Sequence, residues 1–231
     1  MRICIISDLH ANLEALQALP ENYDQLWVLG DLVNYGPDPA AIIEFVRSRA
    51  SLVIRGNHDH AVGFAADCGC SPRFLRMAEA TRDYTIATLS ERDKRYLREL
   101  PTSARRQVAG TTFFLCHATP ANLLYEYRAP DSPLWDREEE ASRGADVILA
   151  GHTHLQFSHR RGATSVVNPG SLGQSKMGNP LARYALWEDG LFELKACEYA
   201  VETTAMKIGT LPIAEELKHD LVAVLRAGTV A

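Results

Sequence analysis

The chain has 231 residues, of which 46% are hydrophobic and 23% charged, and its net charge is −5. The acidic balance gives no global basic field for long nucleic acid, and no apolar run approaches the 18 residues of a membrane span. Five cysteines without a CxxC pair, and an N-terminal apolar run too short for a signal peptide, predict a reduced cytoplasmic protein.

The first 60 residues alternate between strand and helix patterns. Ile-rich or apolar runs predict strands at Arg2–Ser7, Gln25–Gly30 and Ser51–Ile54. Helical spacing of apolar residues predicts a helix over Asn12–Leu19 and another that begins at Pro39. Strands separated by helices indicate a parallel βαβ arrangement, in which ligands bind beyond the carboxyl ends of the strands.

The next segment, residues 60–104, predicts a helical insertion over the sheet. It is charged and helical in pattern, Ser90 with Asp93 predicts a helix N-terminus, and Pro101 ends the helical region. Two interpretations stay open: ordinary surface helices, or a lid that selects the substrate.

The second half returns to strands, at Thr111–Cys116, Asp146–Ala150 and Ser165–Val167. Asp189-Gly190 predicts a hairpin turn between two further strands. We therefore expect one mixed α/β domain over residues 1–231, with a last, structural helix at about Ile213–Arg226.

Polar side chains follow almost every predicted strand. Packing alone hardly explains so many imidazoles and carboxylates at one sheet edge, because buried groups of this kind need partners. Seven nitrogen and oxygen donors exceed the needs of one tetrahedral ion and suit two ions that share a carboxylate; Mn, Fe, Co, Ni and Zn all fit. Two such ions leave a net positive site for a phosphate anion. The donors are Asp8, His10, Asp31, Asn57, His117, His152 and His154.

The order of these motifs resembles the calcineurin-like metallophosphoesterases, and within them the short bacterial YfcE-like phosphodiesterase and phosphatase branch. The motifs are SDLH, GDLVNYGP, GNHD, CHATP and GHTH, all within residues 7–154. The resemblance implies a four-layer α/β/β/α sandwich of two mixed sheets. It also implies one ion bound by Asp8, His10 and His154, a second bound by Asn57, His117 and His152, and Asp31 as the bridge.

The resemblance further implies that His58 is catalytic, stabilising transition-state charge or protonating the leaving oxygen. Asp59 is expected to accept a hydrogen bond from His58 and orient it, with a turn or cap role as the alternative. Arg55 is expected either to bind substrate phosphate or to pair with a surface carboxylate. Asn12 contacts phosphate or caps a helix, and Asn34 has no assigned role.

The function expected is hydrolysis of phosphodiesters or phosphomonoesters by in-line attack of a metal-bridging hydroxide, lost in chelator and restored by manganese or a similar ion. A dinucleoside polyphosphate hydrolase and a metal-binding scaffold or regulatory protein are the alternatives. The partner is a small phosphoester or nucleotide, and a homo-oligomer is left open. Tyr125, Tyr127 and Trp135 stack a nucleobase or simply pack, and Cys68 and Cys70 are expected to be free thiols.

Overall fold

The computed structural model describes residues 1–20, 22–137, 142 and 144–229. Its strands form two five-stranded sheets. Sheet A contains, in spatial order, β10 (Leu191–Cys197), β9 (Ala182–Glu188), β1 (Arg2–Ile6), β2 (Gln25–Val28) and β3 (Leu52–Val53). Sheet B contains β4 (Ser103–Val108), β5 (Thr111–Cys116), β6 (Val147–Leu149), β8 (Thr164–Asn168) and β7 (Phe157–Arg161).

Both sheets are mixed. Strands β1, β2 and β3 are parallel, and β9 and β10 continue sheet A in antiparallel order. In sheet B, β5, β6 and β8 are parallel, and the edge strands β4 and β7 are antiparallel to their neighbours. The predicted hairpin joins β9 to β10, and Asp189 and Gly190 take the positive φ angles of 49° and 85° that its turn requires.

Helices flank the sheets. Three of them, α3 (Asn57–Phe64), α4 (Pro72–Thr88) and α5 (Glu91–Glu99), lie in or overlap the segment predicted to be helical. Ser90 caps α5 by accepting a hydrogen bond from the Asp93 backbone N–H. The division of the chain into one domain with an insertion stays a prediction. The helices are α1 (Leu13–Gln17), α2 (Pro39–Arg49), α3 (Asn57–Phe64), α4 (Pro72–Thr88), α5 (Glu91–Glu99), a 3-10 turn (Pro133–Arg137), α6 (Val201–Gly209) and α7 (Glu215–Ala227).

The two sheets pack face to face through a fully buried apolar layer. Alternation along β1 sends Ile3 and Ile5 into this layer, where Phe113 of sheet B lies edge-on to Trp27 and Trp187, with ring centroids 5.2 Å apart in each pair. Residues of opposite parity in sheet A pack against α1 and α2, and the outer face of sheet B packs against the 3-10 turn. The predicted sandwich of two mixed sheets flanked by helices is confirmed.

This arrangement places the carboxyl ends of the parallel strands of both sheets at one edge of the molecule. The loops after β1 and β2 of sheet A meet the loops after β5 and β6 of sheet B there, as the 3.1 Å contact between Asp8 Oδ2 and the His152 backbone N–H records. Among the described residues no helix has the length and apolar character needed to cross a membrane.

Candidate metal centre

The structure brings the seven predicted donors into one cluster at this edge. Asp8 Oδ1 lies 3.4 Å from His154 Nε2, and His154 Nε2 lies 3.1 Å from His10 Nε2. Asn57 Oδ1 lies 3.0 Å from His117 Nε2. Each of the seven side chains is at most 3% exposed, so they form a buried polar cluster rather than a solvated surface.

The cluster divides into two sets of donors. Asp8, His10 and His154 form one set and Asp31, His117 and His152 the other, with the donor atoms of each set within 4.8 Å of one another. Asn57 Oδ1 joins the second set, 3.1 Å from His152 Nδ1.

Asp31 lies between the two sets. Its Oδ2 is 3.2 Å from His117 Nε2 and 3.9 Å from His10 Nε2, so one carboxylate oxygen faces an imidazole of each set. This position is compatible with the bridging role predicted for Asp31, which stays a prediction.

The chemistry of the donors fits divalent cations. Within the described part of the chain, Asp8 Oδ1 and His152 Nε2 are buried without a hydrogen-bond partner, and two imidazole nitrogens, those of His10 and His154, face each other. Burying such oxygen and nitrogen atoms costs free energy unless each has a partner. A divalent cation is a partner for both kinds of atom, because it accepts lone pairs from carboxylate oxygens and from imidazole nitrogens.

The backbone of the ligand loops is unusual. Left-handed φ angles disfavour residues with a Cβ, and such strain concentrates at functional sites. Tertiary hydrogen bonds hold these loops, among them Asp8 N–H to Gly30 O at 3.0 Å and His10 N–H to Asp31 O at 3.0 Å. Five of the seven candidate ligands adopt such angles: Asp8 (54°), His10 (47°), Asp31 (54°), His152 (65°) and His154 (61°).

Backbone carbonyls orient three of the imidazoles. A hydrogen bond from Nδ1 fixes the tautomer and leaves the Nε2 lone pair directed at the cluster. The pairs are His10 Nδ1 with Val33 O (3.2 Å), His117 Nδ1 with Leu29 O (2.8 Å) and His154 Nδ1 with Gln174 O (2.6 Å).

Burial and mutual charge set the protonation of the cluster. Burial lowers the pKa of His10 to about 3 and raises that of Asp8 to about 7. Burial opposes ionisation of Asp31 as well, but the neighbouring His117 holds the pKa of Asp31 well below its usual range. The same pairing with Asp31 outweighs burial at His117 and raises the pKa of that imidazole to about 9.

His58 lies beside the cluster, with its ring centroid 5.2 Å from that of His10. The amide of buried Asn34 lies 2.9 Å from His58 Nδ1, and an amide nitrogen can only donate. His58 Nδ1 is therefore the acceptor and Nε2 carries the hydrogen. Burial lowers the pKa of His58 to about 4, so the ring is neutral near pH 7.

Asp59 does not hold His58 in the way the sequence predicted. Its carboxylate accepts hydrogen bonds from three backbone N–H groups, those of Asp31 (2.8 Å), Leu32 (2.8 Å) and Gly56 (2.9 Å). The expected hydrogen bond between Asp59 and the His58 ring is wrong, because Asn34 makes that contact and Asp59 instead ties two ligand loops together. No sequence pattern indicated a role for Asn34, since only the fold brings it to His58.

The two residues predicted to bind substrate turn away from the cluster. Asn12 accepts from the Ala15 N–H at 3.1 Å, which is the helix cap, and its Nδ2 donates to Gly173 O at 2.8 Å. Arg55 donates to Arg98 O at 2.7 Å, so neither alternative predicted for it, a phosphate or a surface carboxylate, describes its contact. The cap interpretation of Asn12 is confirmed, and its phosphate contact has no support in this geometry.

Gly56 is needed for close approach of two loops. A Cβ at this position would overlap Asp31 Oδ1 and the Asp31 backbone N, although the Gly56 φ of −90° is open to any residue. Gly56 is therefore required by its packing against Asp31 and not by its backbone angles.

Cys68 and Cys70 form a disulfide in the structure, so the expectation of free thiols there is wrong. Cys70 Sγ lies 3.5 Å from His58 Nε2. The Cys68 carbonyl accepts a 2.7 Å hydrogen bond from Asn57 Nδ2, which directs the Asn57 oxygen into the cluster.

Lys176 is a residue of the site that sequence reasoning missed. Its ammonium lies 5.0 Å from the centre of the Phe74 ring and interacts electrostatically with Asp8 and Asp31. In the sequence, the only indication of a role for Lys176 is that a single basic residue stands in the short stretch GQSKMG (173–178), a few residues after NPGS (168–171).

The three aromatic candidates of the 119–137 loop differ. Trp135 is 4% exposed and packs under sheet B with Phe157, which confirms packing for that residue. Tyr127 is 50% exposed, and its ring centroid lies 4.0 Å from that of His152. Tyr125 is 38% exposed.

Comparison with known proteins agrees with this architecture. Residues 1–188 match the calcineurin-like phosphoesterase superfamily domain. A metallophosphoesterase structure from Sphaerobacter thermophilus superposes with a TM-score of 0.83, at 29% identity over 99% of both chains. Phosphodiesterase YfcE of Escherichia coli is 27% identical over 85% of this chain and 92% of its own length. A symmetrical bis(5'-nucleosyl)-tetraphosphatase of Nitrosococcus oceani is 31% identical over 68% of this chain.

A buried cluster of nitrogen and oxygen donors at the edge of a two-sheet sandwich fits a metal-binding phosphoesterase. This chain belongs to the calcineurin-like phosphoesterase superfamily, whose members use divalent metals. It spans 54% of the length of the tetraphosphatase, so the likeness to that protein covers about half of it.

Proposed function

We propose that this protein is a metal-dependent phosphoesterase that hydrolyses small phosphodiesters or phosphomonoesters. One divalent ion is held by Asp8, His10 and His154, and a second by Asn57, His117 and His152, with Asp31 between them. The observation that carries the proposal is the convergence of all seven nitrogen and oxygen donors from five loops on one buried cluster.

Two divalent ions at such a site polarise phosphoryl oxygens and acidify a water molecule at neutral pH. The protein supplies the orientation. Asn34 contacts Nδ1 of His58, which leaves Nε2, 3.5 Å from Cys70 Sγ in this structure, as the nitrogen that would donate a hydrogen bond to a phosphoryl or leaving oxygen when substrate binds. A neutral His58 avoids adding another positive charge beside the ions.

The donors bind tightly because they are prearranged. The Asp31 Oδ1 atom accepts from the His58 backbone N–H at 2.9 Å, which leaves Oδ2 for the cluster. The Asp59 carboxylate fixes the loop that carries Asp31 against the loop that carries Asn57. Ligand loops held in this way lose little conformational entropy when an ion binds.

The hydrolysis of dinucleoside polyphosphates is the second candidate. It is favoured by the 31% identity to the Nitrosococcus oceani tetraphosphatase and by the half-exposed Tyr127 ring beside the cluster. The likeness to YfcE, which covers 92% of that protein, favours simpler phosphodiesters.

The experiment is a hydrolysis assay of manganese-loaded protein on p-nitrophenyl phosphate, bis(p-nitrophenyl) phosphate and diadenosine tetraphosphate, each with and without chelator. We expect turnover of at least one substrate, its loss in chelator and its recovery with manganese. The His58→Ala variant should keep its metal content and lose about 100-fold in kcat, within the usual range for a group of this kind. His219→Ala, an exposed histidine, is the matched control. Absence of turnover on all three substrates by metal-loaded protein would favour the metal-binding scaffold, and chelator-resistant hydrolysis would contradict the metal mechanism.

A further inference from the structure

The half-buried ammonium of Lys176 lies beside the candidate metal cluster and has no role in the proposed hydrolysis. Lys176 Nζ lies over the Phe74 ring, and the Phe74 ring centroid is 6.3 Å from that of Tyr35, which in turn packs 4.9 Å from the rings of His10 and His58. None of the ion pairs among the described residues includes Lys176. Its ammonium is thus held against an aromatic wall of the site without a carboxylate partner.

A bound anion would stabilise the charged form of Lys176 in this placement. Burial lowers the pKa of Lys176, and Asp8 and Asp31 are the acidic groups that favour its charged form. Both carboxylates are candidate metal ligands. Bound metal ions would offset their negative charge and would repel the Lys176 ammonium. A phosphate group satisfies the ions and the ammonium together.

A cavity of about 360 Å³ opens next to Lys176. Its lining includes Tyr127, Arg128, Thr153, Leu155 and Lys176, so an aromatic ring, two basic side chains and an aliphatic side chain border one cavity. Tyr127 stacks on His152, with ring planes tilted by 31°, while half of the tyrosine surface stays open to solvent. A flat ring system fits between such a surface and the cavity, because every base has a π-face that stacks on an aromatic side chain.

We propose that this cavity is a nucleotide subsite: Lys176 binds the phosphate oxygens of the substrate and the exposed face of Tyr127 stacks on its nucleobase. The inference rests on the proposed function and deepens it, because it names nucleotide esters as the preferred substrate class over simple alkyl phosphoesters. It predicts that the two residues act on different parts of the substrate.

The test compares two substrates with the same leaving group and the same charge, the p-nitrophenyl ester of thymidine 5'-monophosphate and methyl p-nitrophenyl phosphate. Tyr127→Ala should lower kcat/KM for the thymidine ester about tenfold more than for the methyl ester, the range expected from base stacking; because Tyr127 packs on His152, the ratio of the two losses is the readout. Tyr127→Phe keeps the ring and should behave as the unmodified protein.

Lys176→Met should lower kcat/KM by on the order of tenfold or more for both esters, since it removes a charged donor to phosphate. Lys176→Arg should recover part of the loss.

Binding supplies a readout independent of turnover. Calorimetry of the manganese-loaded protein with the methylene-phosphonate analogue of adenosine monophosphate, which cannot be hydrolysed at phosphorus, should give a dissociation constant about tenfold higher for Tyr127→Ala and for Lys176→Met. Equal losses on both esters with Tyr127→Ala, or unchanged analogue binding in both variants, would overturn the subsite. Failure of the unmodified protein to hydrolyse either ester would overturn the proposed function instead, while analogue binding would still report on the subsite.

Discussion

At the residue scale, the contact between Asn34 and His58 sets the orientation of the imidazole beside the candidate metal cluster. The Asn34 amide lies 2.9 Å from Nδ1, and within the described part of the chain its Oδ1 has no hydrogen-bond partner. Because both side chains are buried, this contact holds the imidazole in one orientation. This contact, rather than one from the adjacent acidic residue, orients His58.

Asn34→Ala should therefore lower kcat about tenfold while metal content stays the same, because the imidazole loses one net hydrogen bond and its fixed tautomer. The measurement is steady-state kinetics with metal content determined on the same sample. Asn22→Ala, at an exposed position away from the cluster, is the control. Unchanged kcat in Asn34→Ala would show that His58 does not depend on this contact.

Substitution of Asp59, unlike that of Asn34, is expected to lower the stability of the fold. Its carboxylate accepts from the backbone N–H groups of Asp31, Leu32 and Gly56, and it is 0% exposed. Asp59→Asn replaces one acceptor oxygen by a donor that faces an N–H group, so we expect the free energy of unfolding to fall by on the order of 3 kcal/mol. Urea denaturation measures this. A stable Asp59→Asn protein that loses only turnover would instead support the orienting role expected from the sequence.

At the element scale, an ion cluster joins the first helix to a helix near the end of the chain. Lys207 of α6 donates to Glu14 Oε1 of α1 at 2.5 Å and to Asp38 Oδ2 at 2.8 Å, and Thr204 of α6 donates to Glu14 Oε2 at 2.7 Å. Although burial opposes it, the hydrogen bond from Lys207 lowers the pKa of Glu14 below its usual value of 4.5. A carboxyl group whose pKa is lowered on folding stabilises the protein above its unfolded pKa, and this contribution is lost as the pH falls through the folded value.

Lys207→Met should accordingly reduce the free energy of unfolding by about 1 kcal/mol at pH 7, a small value because the lysine is partly exposed. The difference from the unmodified protein should begin to shrink below pH 4.5, the usual pKa of the carboxyl group, and should be lost as the pH falls through the lower pKa of folded Glu14. Chemical denaturation at pH 7 and pH 3 measures both values. Lys218→Met, which removes an ion pair with the exposed Glu215, should have a smaller effect. A difference that stays constant between the two pH values would rule out the ion cluster as its cause.

The elements that sequence reasoning found and those it missed differ in burial. Strands β1, β2 and β5 carry buried apolar runs and were predicted, as was the Asp189-Gly190 hairpin. The edge strands β4 (SARRQV) and β7 (FSHRR) were not, because their central residues are exposed and polar and show no alternation. Helix α6 was missed as well, since its burial depends on contacts with α1 and α7.

At the scale of the whole molecule, the sandwich explains why residues from both halves of the chain form one site. Parallel strands of each sheet end at the same edge, so ligand loops 144 residues apart in sequence, those of Asp8 and His152, come into contact. For this reason the candidate metal ligands that directly follow strands could be predicted from the sequence. Residues that reach the site from other directions, Asn34 from a loop interior and Lys176 from the segment after β8, required the structure.

The shared cluster also gives the metal content a definite expectation. Three donors on one side, three on the other and a carboxylate between them predict two ions for each chain. A variant that removes donors from one side alone should retain the other ion, unless the bridging carboxylate couples the two sites tightly.

The most direct test of the central claim is a titration of chelator-stripped protein with manganese, in which bound metal and phosphodiester hydrolysis are measured on the same samples. We expect both quantities to rise together and saturate at two ions per chain, and the double variant Asn57→Ala with His117→Ala to saturate at one ion without turnover. Full activity at one ion per chain, or hydrolysis by the metal-free protein, would contradict it.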